Sequence, residues 1–281
     1  MALILPAYAK LNLTLDVIGR RANGYHEIDS VMQTISLHDL VCVERTECRV
    51  FDVVGASISG ENLVLKAARE LEGYAGRALP FTIRLFKRIP MGAGLGGGSA
   101  DAAAFLRAAV ALYALKLPDE ALVELATAVG QDVPFFINGG TARATGLGST
   151  VAPLPDFPSS WRFLVICPPI EVATRSVFQA VDGAAPTARR TPALAARLDS
   201  GGEVDPGSFG NDLEATAGHL FPALNDAIAP LRAALPELQM SGSGAAFYAP
   251  FPGEQEARRA LASVQADGVT AWLCRPVPAW R

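Results

Sequence analysis

The chain has no excess of basic residues: 24 lysines and arginines stand against 28 acids, for a formal charge of -4 over 281 residues. Duplex nucleic acid needs a basic face, so it is not an expected partner. An anionic ligand would have to be held by a local site rather than by the overall field. Cysteine is sparse as well. Cys42, Cys48, Cys167 and Cys274 form no C-x-x-C pair, and none stands at metal-site spacing from one of the three histidines. Free thiols packed as small apolar groups in a reducing compartment fit these spacings. No apolar run reaches the roughly 20 residues that span a bilayer. The opening M-A-L-I-L-P-A-Y-A-K has too short an apolar run, with no basic residue ahead of it, to read as a secretion signal. The expectation is a cytoplasmic protein with no membrane partner and no internal repeat.

What the chain does contain is apolar material, half of its residues, enough for one large domain or two ordinary ones. Leu11 to Ile18 alternates as L-N-L-T-L-D-V-I, the period of a strand with one face inward. Leu40 to Glu44, Cys48 to Val54 and Phe81 to Ile89 predict further strands, and Asn62 to Leu71 a helix. Helical spacing follows over Ser99 to Leu115, with Ser99 as the expected N-cap, and again over Pro118 to Val129. Gly146 to Ser160 holds three prolines and marks a candidate boundary. Beyond it come a strand at Trp161 to Cys167 and a long connection, Gly183 to Gly210, with a short helical stretch at Leu194 to Leu198. A helix over His219 to Leu235, a strand at Ala245 to Ala249, a helix at Glu254 to Ala266 and a strand at Val269 to Cys274 complete the series. Mixed in this way, the elements predict α+β halves, residues 1–153 and 154–281, rather than a doubly wound sheet.

The most informative stretch is P-M-G-A-G-L-G-G-G-S, Pro90 to Ser99, set between a predicted strand and a predicted helix. Glycines at 92, 94, 96, 97 and 98 let the backbone turn through positive φ and aim successive N–H groups at one anion. The helix that follows adds the positive end of its dipole at the same point. A Walker loop would end in G-K-[ST], and this loop has no lysine. Gly92, Gly94 and Gly97 do meet the G-x-G-x-x-G spacing of a dinucleotide fingerprint, a weak match taken alone. That fingerprint also calls for an acid after a second strand, and none occurs between Asp101 and Asp119.

Three further clusters stand out. P-A-Y-A-K-L-N-L puts Lys10 and Asn12 on one strand face, opposite Leu11 and Leu13. G-Q-D-V-P-F-F-I sets Asp132 between a helix end and an apolar run, where an acid also serves as an ordinary turn residue. M-S-G-S-G-A-A, Met240 to Ala246, is a second glycine turn able to close over a ligand.

In this order, and together with R-A-N-G-Y-H, these clusters resemble the GHMP small-molecule kinases from Pro6 to about Phe247. G-Y-H with D-V-P-F-F resembles the branch that phosphorylates the 2-hydroxyl of a cytidine-diphosphate-linked methylerythritol, in non-mevalonate isoprenoid synthesis. The resemblance implies ATP with Mg2+ as cofactor, ADP as product, and a monomer or homodimer. It implies an N-terminal α+β domain, a ferredoxin-like C-terminal domain and an active site between them. Asp132 would accept the hydroxyl proton beside Lys10, a carboxylate with an ordinary pKa of about 3.9 being ionised at neutral pH. Pro90, Met91, Gly92, Ala93, Gly94, Leu95, Gly96, Gly97, Gly98, Ser99 and Ala100 would hold ATP, with Asn62 and Lys87 near the adenine. Tyr25 and Phe178 would stack on the cytosine, His26 would bond its edge, and Asn12 and Thr174 would contact the polyol or diphosphate. No residue is assigned to the metal. A GHMP kinase acting on homoserine, a sugar or mevalonate is the alternative, and a non-catalytic nucleotide binder a more distant one.

Overall fold

The computed structural model of the chain describes residues 1–57, 61–181, 189–264 and 270–280. Among these residues the strands form two sheets, one of seven strands and one of four.

The first sheet grows from two long antiparallel strands, β1 (Ala2–Arg20) and β2 (His26–Arg45). The alternation read at Leu11 to Ile18 belongs to β1, which buries Leu11, Leu13 and Leu15. Its polar residues Lys10, Asn12, Thr14 and Asp16 are buried too, none more than 4 % exposed. A row of buried polar groups is the unusual feature of this strand. One stretch of β2 pairs with β4 (Phe81–Phe86), which carries β3 (Val50–Val54) in parallel; another pairs with β5 (Thr141–Gly146), and β5 pairs with β6 (Thr150–Pro153). Helix α1 (Leu63–Ala75) starts at Asn62, whose side chain accepts the Val64 N–H, and ends at Gly76 in the left-handed conformation. Helix α2 (Gly97–Leu112) is buried along most of its length. Its alanines let it lie close to β1, β2, α1, α3 (Asp119–Val129) and α4 (Val133–Asn138).

The second sheet has the order β11-β7-β10-β9, all antiparallel, from β7 (Arg162–Cys167), β9 (Gln239–Met240), β10 (Phe247–Phe251) and β11 (Thr270–Cys274). Among the described residues, four helices separate β7 from β9: α5 (Thr174–Ala180), α6 (Arg190–Asp199), α7 (Glu214–Leu220) and α8 (Pro222–Ala234). A fifth, α9 (Glu254–Ser263), separates β10 from β11. Strand-helix-strand-strand-helix-strand in that spatial order is the ferredoxin-like arrangement.

Chain after residue 154 also returns to the first sheet. The two-residue strand β8 (Gly210–Asn211) lies parallel to β1 at Thr14 and Leu15. The segment Pro276–Trp280 follows β2 and α4, with Val277 N–H donating to Thr34 O at 2.9 Å and Trp280 N–H to Asn138 O at 2.8 Å. Arg107 of α2 stacks over the Trp280 ring at 4.7 Å and donates to Ile137 O, fastening that segment to the end of α4.

Several boundaries differ from the sequence reading. The long helix starts at Gly97, so Ser99 lies inside its first turn; Gly96, at φ 71°, makes the entry with no side-chain cap. In G-Q-D-V-P-F-F-I, Gln131 and Asp132 form a turn and the apolar run from Val133 forms α4. The helix expected over His219 to Leu235 is broken at Phe221, held extended by the Pro222 that follows it. Of the connection expected over 183–210, residues 183–188 lie outside the described ones, as do 265–266 of the expected last helix and residue 269. The rest of that connection contains α6, longer than the stretch expected there, and the start of β8.

Tyr248 of β10 is fully buried, and its hydroxyl donates to the carbonyls of Asn12 at 3.0 Å and Leu13 at 3.2 Å, joining the two sheets. Replacing Tyr248 with Phe removes that buried donor. We expect a loss of about 1–3 kcal/mol in unfolding free energy, read as a lower urea midpoint with an unchanged slope.

Candidate active site

The site forms where the outer edge of β1 is left open. On one side Lys10 and Asn12 face β2; on the other, the neighbour β8 reaches only Thr14 and Leu15. The glycine loop and the second glycine turn fill the gap. Lys10 N–H donates to Leu95 O at 2.9 Å, and Ser241 Oγ lies 3.4 Å from the Asn12 nitrogen. The turn and the loop also bond each other, Ala246 N–H to Ala93 O at 3.0 Å and Ser241 Oγ to Gly94 O at 3.1 Å. Asn211 pins the turn from behind, its amide donating to Met240 O at 2.9 Å and Gly242 O at 2.7 Å.

Two glycines of the loop are required by space as well as by backbone angle. A Cβ on Gly94, at φ 75°, would stand 2.1 Å from Ser241 O. One on Gly96 would stand 2.6 Å from the Phe136 ring and 3.1 Å from Lys10 Cγ. Close approach of loop, strand and α4 therefore depends on their hydrogens.

Within this frame Lys10 is buried, and its ammonium donates to Asn12 Oδ1 and lies 4.0 Å from Asp132 Oδ2. Asn12 is held in turn, its amide donating to Ser30 Oγ at 2.7 Å and that hydroxyl to Thr14 O at 2.6 Å. Burial pulls the Lys10 pKa below the ordinary lysine value, and the Asp132 charge acts against that pull. Asp132 occupies the N-cap position of α4 without making a capping bond, and its side chain is 37 % exposed. A buried cation thus faces a carboxylate that solvent or a ligand can reach.

The other expected residues fall into separate places. His26 and Phe178 meet, ring centroids 5.8 Å apart and planes inclined by 34°. Tyr25 follows the turn at Gly24 and is 63 % exposed. Thr174 opens α5, and its hydroxyl is 2.7 Å from that of Ser243 in the glycine turn. Asn62 caps α1. Lys87, expected beside the adenine, is occupied elsewhere: its ammonium is held by Asp39 and, at 2.7 Å, by Asp101, with its side chain 5 % exposed. Ser30, Asp39, Asp101, Phe136, Asn211, Ser241 and Tyr248 also build the site. Of these, Phe136 and Ser241 lay in clusters marked in the sequence; the others are set by long-range contacts. Among the described residues, no group of three His, Cys, Asp or Glu side chains converges as a metal cage would.

Comparison with known proteins identifies the family. The GHMP kinases N terminal domain matches residues 62–140. A crystal structure of 4-(cytidine 5'-diphospho)-2C-methyl-D-erythritol kinase superposes with a TM-score of 0.79 at 37 % identity, covering 97 % of this chain and 99 % of that one. Homoserine kinase from Cytophaga hutchinsonii shares the fold at a TM-score of 0.76 and 16 % identity, over 99 % of this chain and 95 % of that one. Fold and site together are those of a GHMP kinase, an ATP-dependent small-molecule kinase. The 4-diphosphocytidyl-2-C-methyl-D-erythritol kinase of Dechloromonas aromatica is 38 % identical over 273 residues, covering 95 % of this chain and 94 % of its own. That of Thiobacillus denitrificans is 39 % identical over 269 residues, covering 93 % and 91 %. The chain belongs to the 4-diphosphocytidyl-2-C-methyl-D-erythritol kinase family.

The Gly94 contact carries its own test. Gly94→Ala forces the loop away from Ser241, and we expect turnover to fall by at least about tenfold, as small displacements of positioned groups do. Steady-state kinetics beside a thermal melt checks this; unchanged kinetics would mean that loop and turn need not touch.

Proposed function

We propose that this chain transfers the terminal phosphoryl group of ATP to the 2-hydroxyl of 4-diphosphocytidyl-2-C-methyl-D-erythritol, releasing ADP. The observation that carries this reading is the buried Lys10 ammonium, bonded to Asn12 and 4.0 Å from Asp132, on the strand whose backbone bonds the glycine loop. In this reading Asp132 orients the acceptor hydroxyl and takes its proton as the O–P bond forms and the bond to the ADP oxygen breaks. Lys10, facing Asp132, neutralises charge on the phosphoryl group in flight. The loop from Pro90 to Ala100 would receive the phosphates, its N–H groups and the α2 dipole supplying positive charge without bulk.

The cytidine end would lie against His26 and Phe178, which already meet, with the exposed Tyr25 ring added on binding. Asn12 and Thr174 would hold the polyol or diphosphate. Asn62 and Lys87 would border the adenine, Asn62 through the first turn of α1 and Lys87 through its backbone, since its ammonium is already paired. The division into 1–153 and 154–281 assigns the loop and base to the first part and the glycine turn, Thr174 and Phe178 to the second. Mg2+ would enter on the nucleotide, with phosphate oxygens and water as its main ligands. Bound there, it would supply charge neutralisation. The acceptor's cytidine, and not the phosphate loop, separates this substrate from homoserine or mevalonate.

Coupled detection of ADP tests the chemistry. Asp132→Asn should lower kcat by about 10²–10⁴-fold while the KM for ATP stays close to that of the parent. Full turnover in that variant would remove Asp132 from the role of base. Phe178→Ala should raise the acceptor KM by about tenfold or more, the scale of one lost base-stacking contact. If cytidine nucleotides fail to compete while another alcohol is turned over, the acceptor assignment falls and the kinase remains.

A further inference from the structure

Lys87 stands just before the glycine loop and Asp101 just after it, and their side chains meet behind it. Lys87 Nζ donates to Asp101 Oδ2 at 2.7 Å and also to Asp39 Oδ2. Asp39 is fully buried on β2, and its other oxygen accepts the backbone N–H groups of Arg88 and, at 2.9 Å, Ile89. One chain of bonds thus runs from the strand that leads into the loop, through Lys87, to the second turn of the helix that leaves it. The Lys87 ammonium lies 3.4 Å from where a Cβ on Gly97 would be, directly behind the helical end of the loop.

The charges in this closure are unequal. Two carboxylates share one ammonium, and none of the three side chains is more than 5 % exposed. Asp101 Oδ1, moreover, is buried with no hydrogen-bond partner in the structure. An ionised oxygen left bare at such depth is costly, and a proton on the carboxyl removes most of that cost. A net negative charge there would also oppose the anion the loop is built to receive.

We propose that Asp39, Lys87 and Asp101 form a positioning cluster that fixes the separation of the two ends of the glycine loop, and that Asp101 holds a proton while nucleotide occupies the loop. This rests on the loop being the phosphate cradle. The charged groups facing Asp101 from the elements around it are Lys87, at the end of β4, and Asp39, on β2. Burial raises the Asp101 pKa, Lys87 acts against burial and Asp39 adds to it, leaving the carboxyl at about 7. Burial alone would lower Lys87, but the two acids outweigh it and the ammonium stays charged.

The sign of the coupling follows. As pH rises through about 7 the Asp101 proton leaves, a negative charge appears behind the loop, and nucleotide binding weakens. By reciprocity, nucleotide binding draws a proton onto Asp101. The carboxyl also contributes stability below its unfolded value of 3.8 that is lost as pH rises through about 7.

Titration calorimetry with ATP on the full chain, from about pH 6 to about pH 8.5 and in two buffers of different ionisation enthalpy, tests this. Asp101→Asn keeps the shape of the protonated carboxyl and cannot titrate. ATP's own phosphates titrate identically against both proteins and cancel in the comparison. The parent should take up more protons on binding than Asp101→Asn. Its Kd should rise across the range by about fivefold relative to the variant's, the scale of one unit charge acting near another in a partly polar interior. Identical pH dependence and proton uptake in the two proteins would overturn the proposal. Gly98→Asp separates that outcome from an error in the underlying reading, because Gly98 is exposed and has room for a side chain. Weakened ATP binding in Gly98→Asp supports the cradle; unchanged binding would remove it, and the proposal with it.

Discussion

Everything in the site depends on one close contact, the glycine loop pressed against the Ser241–Ala246 turn from the far end of the chain. The bonds from Ala246 to Ala93 and from Ser241 to Gly94 hold two backbones at a separation that any Cβ at Gly94 would prevent. Because the loop is fixed there, its preceding strand and following helix are fixed with it, and Leu95 O is brought to Lys10 N–H. The contact also explains why the second sheet must be where it is. The turn connects β9 to β10, and β10 carries Tyr248, whose hydroxyl bonds the carbonyls of β1 at the residue that positions Lys10. Loop, turn and β1 form a closed ring of contacts, so moving one member moves all three.

The second constraint is electrostatic. β1 buries Lys10, Asn12, Thr14 and Asp16 along one strand, a costly arrangement unless each polar group has partners. Most of them do. Lys10 has Asn12 and Asp132, Asn12 has Ser30, Thr14 has Thr191 and the Val31 N–H, and Asp16 accepts the Thr191 N–H. A network of this kind holds side chains in single orientations, which a reaction limited by positioning requires. It also explains the parallel strand β8 and helix α6, whose residues close the far end of the row.

Much of this is legible in the residues themselves. The glycine run reads as a turn suited to an anion, and the alternation at Leu11 to Ile18 reads as a strand, though the fold buries its polar face as well as its apolar one. The P-A-Y-A-K-L-N-L and G-Q-D-V-P-F-F-I clusters also supply the facing pair, Lys10 and Asp132. Other parts are hidden for physical reasons. T-A-R-A-T-G and T-V-A-P carry weak strand preference, and they become β5 and β6 because β2 offers a free edge. The short helix after Asp132 has too few residues for a periodic signal. The burial of Lys87 between two acids is hidden as well, since Asp39 lies 48 residues away and no local pattern joins them.

Lys87 shows what separates a residue's place in a motif from its work in the fold. A lysine beside a phosphate loop invites the assumption that its ammonium meets the phosphates, as in a Walker loop. Here that ammonium is spent on two buried carboxylates, and positive charge for an anion must come from backbone N–H groups, from the α2 dipole and from Lys10 on the neighbouring strand. The division is chemically consistent. A lysine among the phosphates would bind substrate and product nucleotide alike, whereas Lys10, placed against Asp132, would in the proposed reaction act where charge changes as the phosphoryl group moves. On the proposed reading, one lysine shapes the cradle and another serves the reaction.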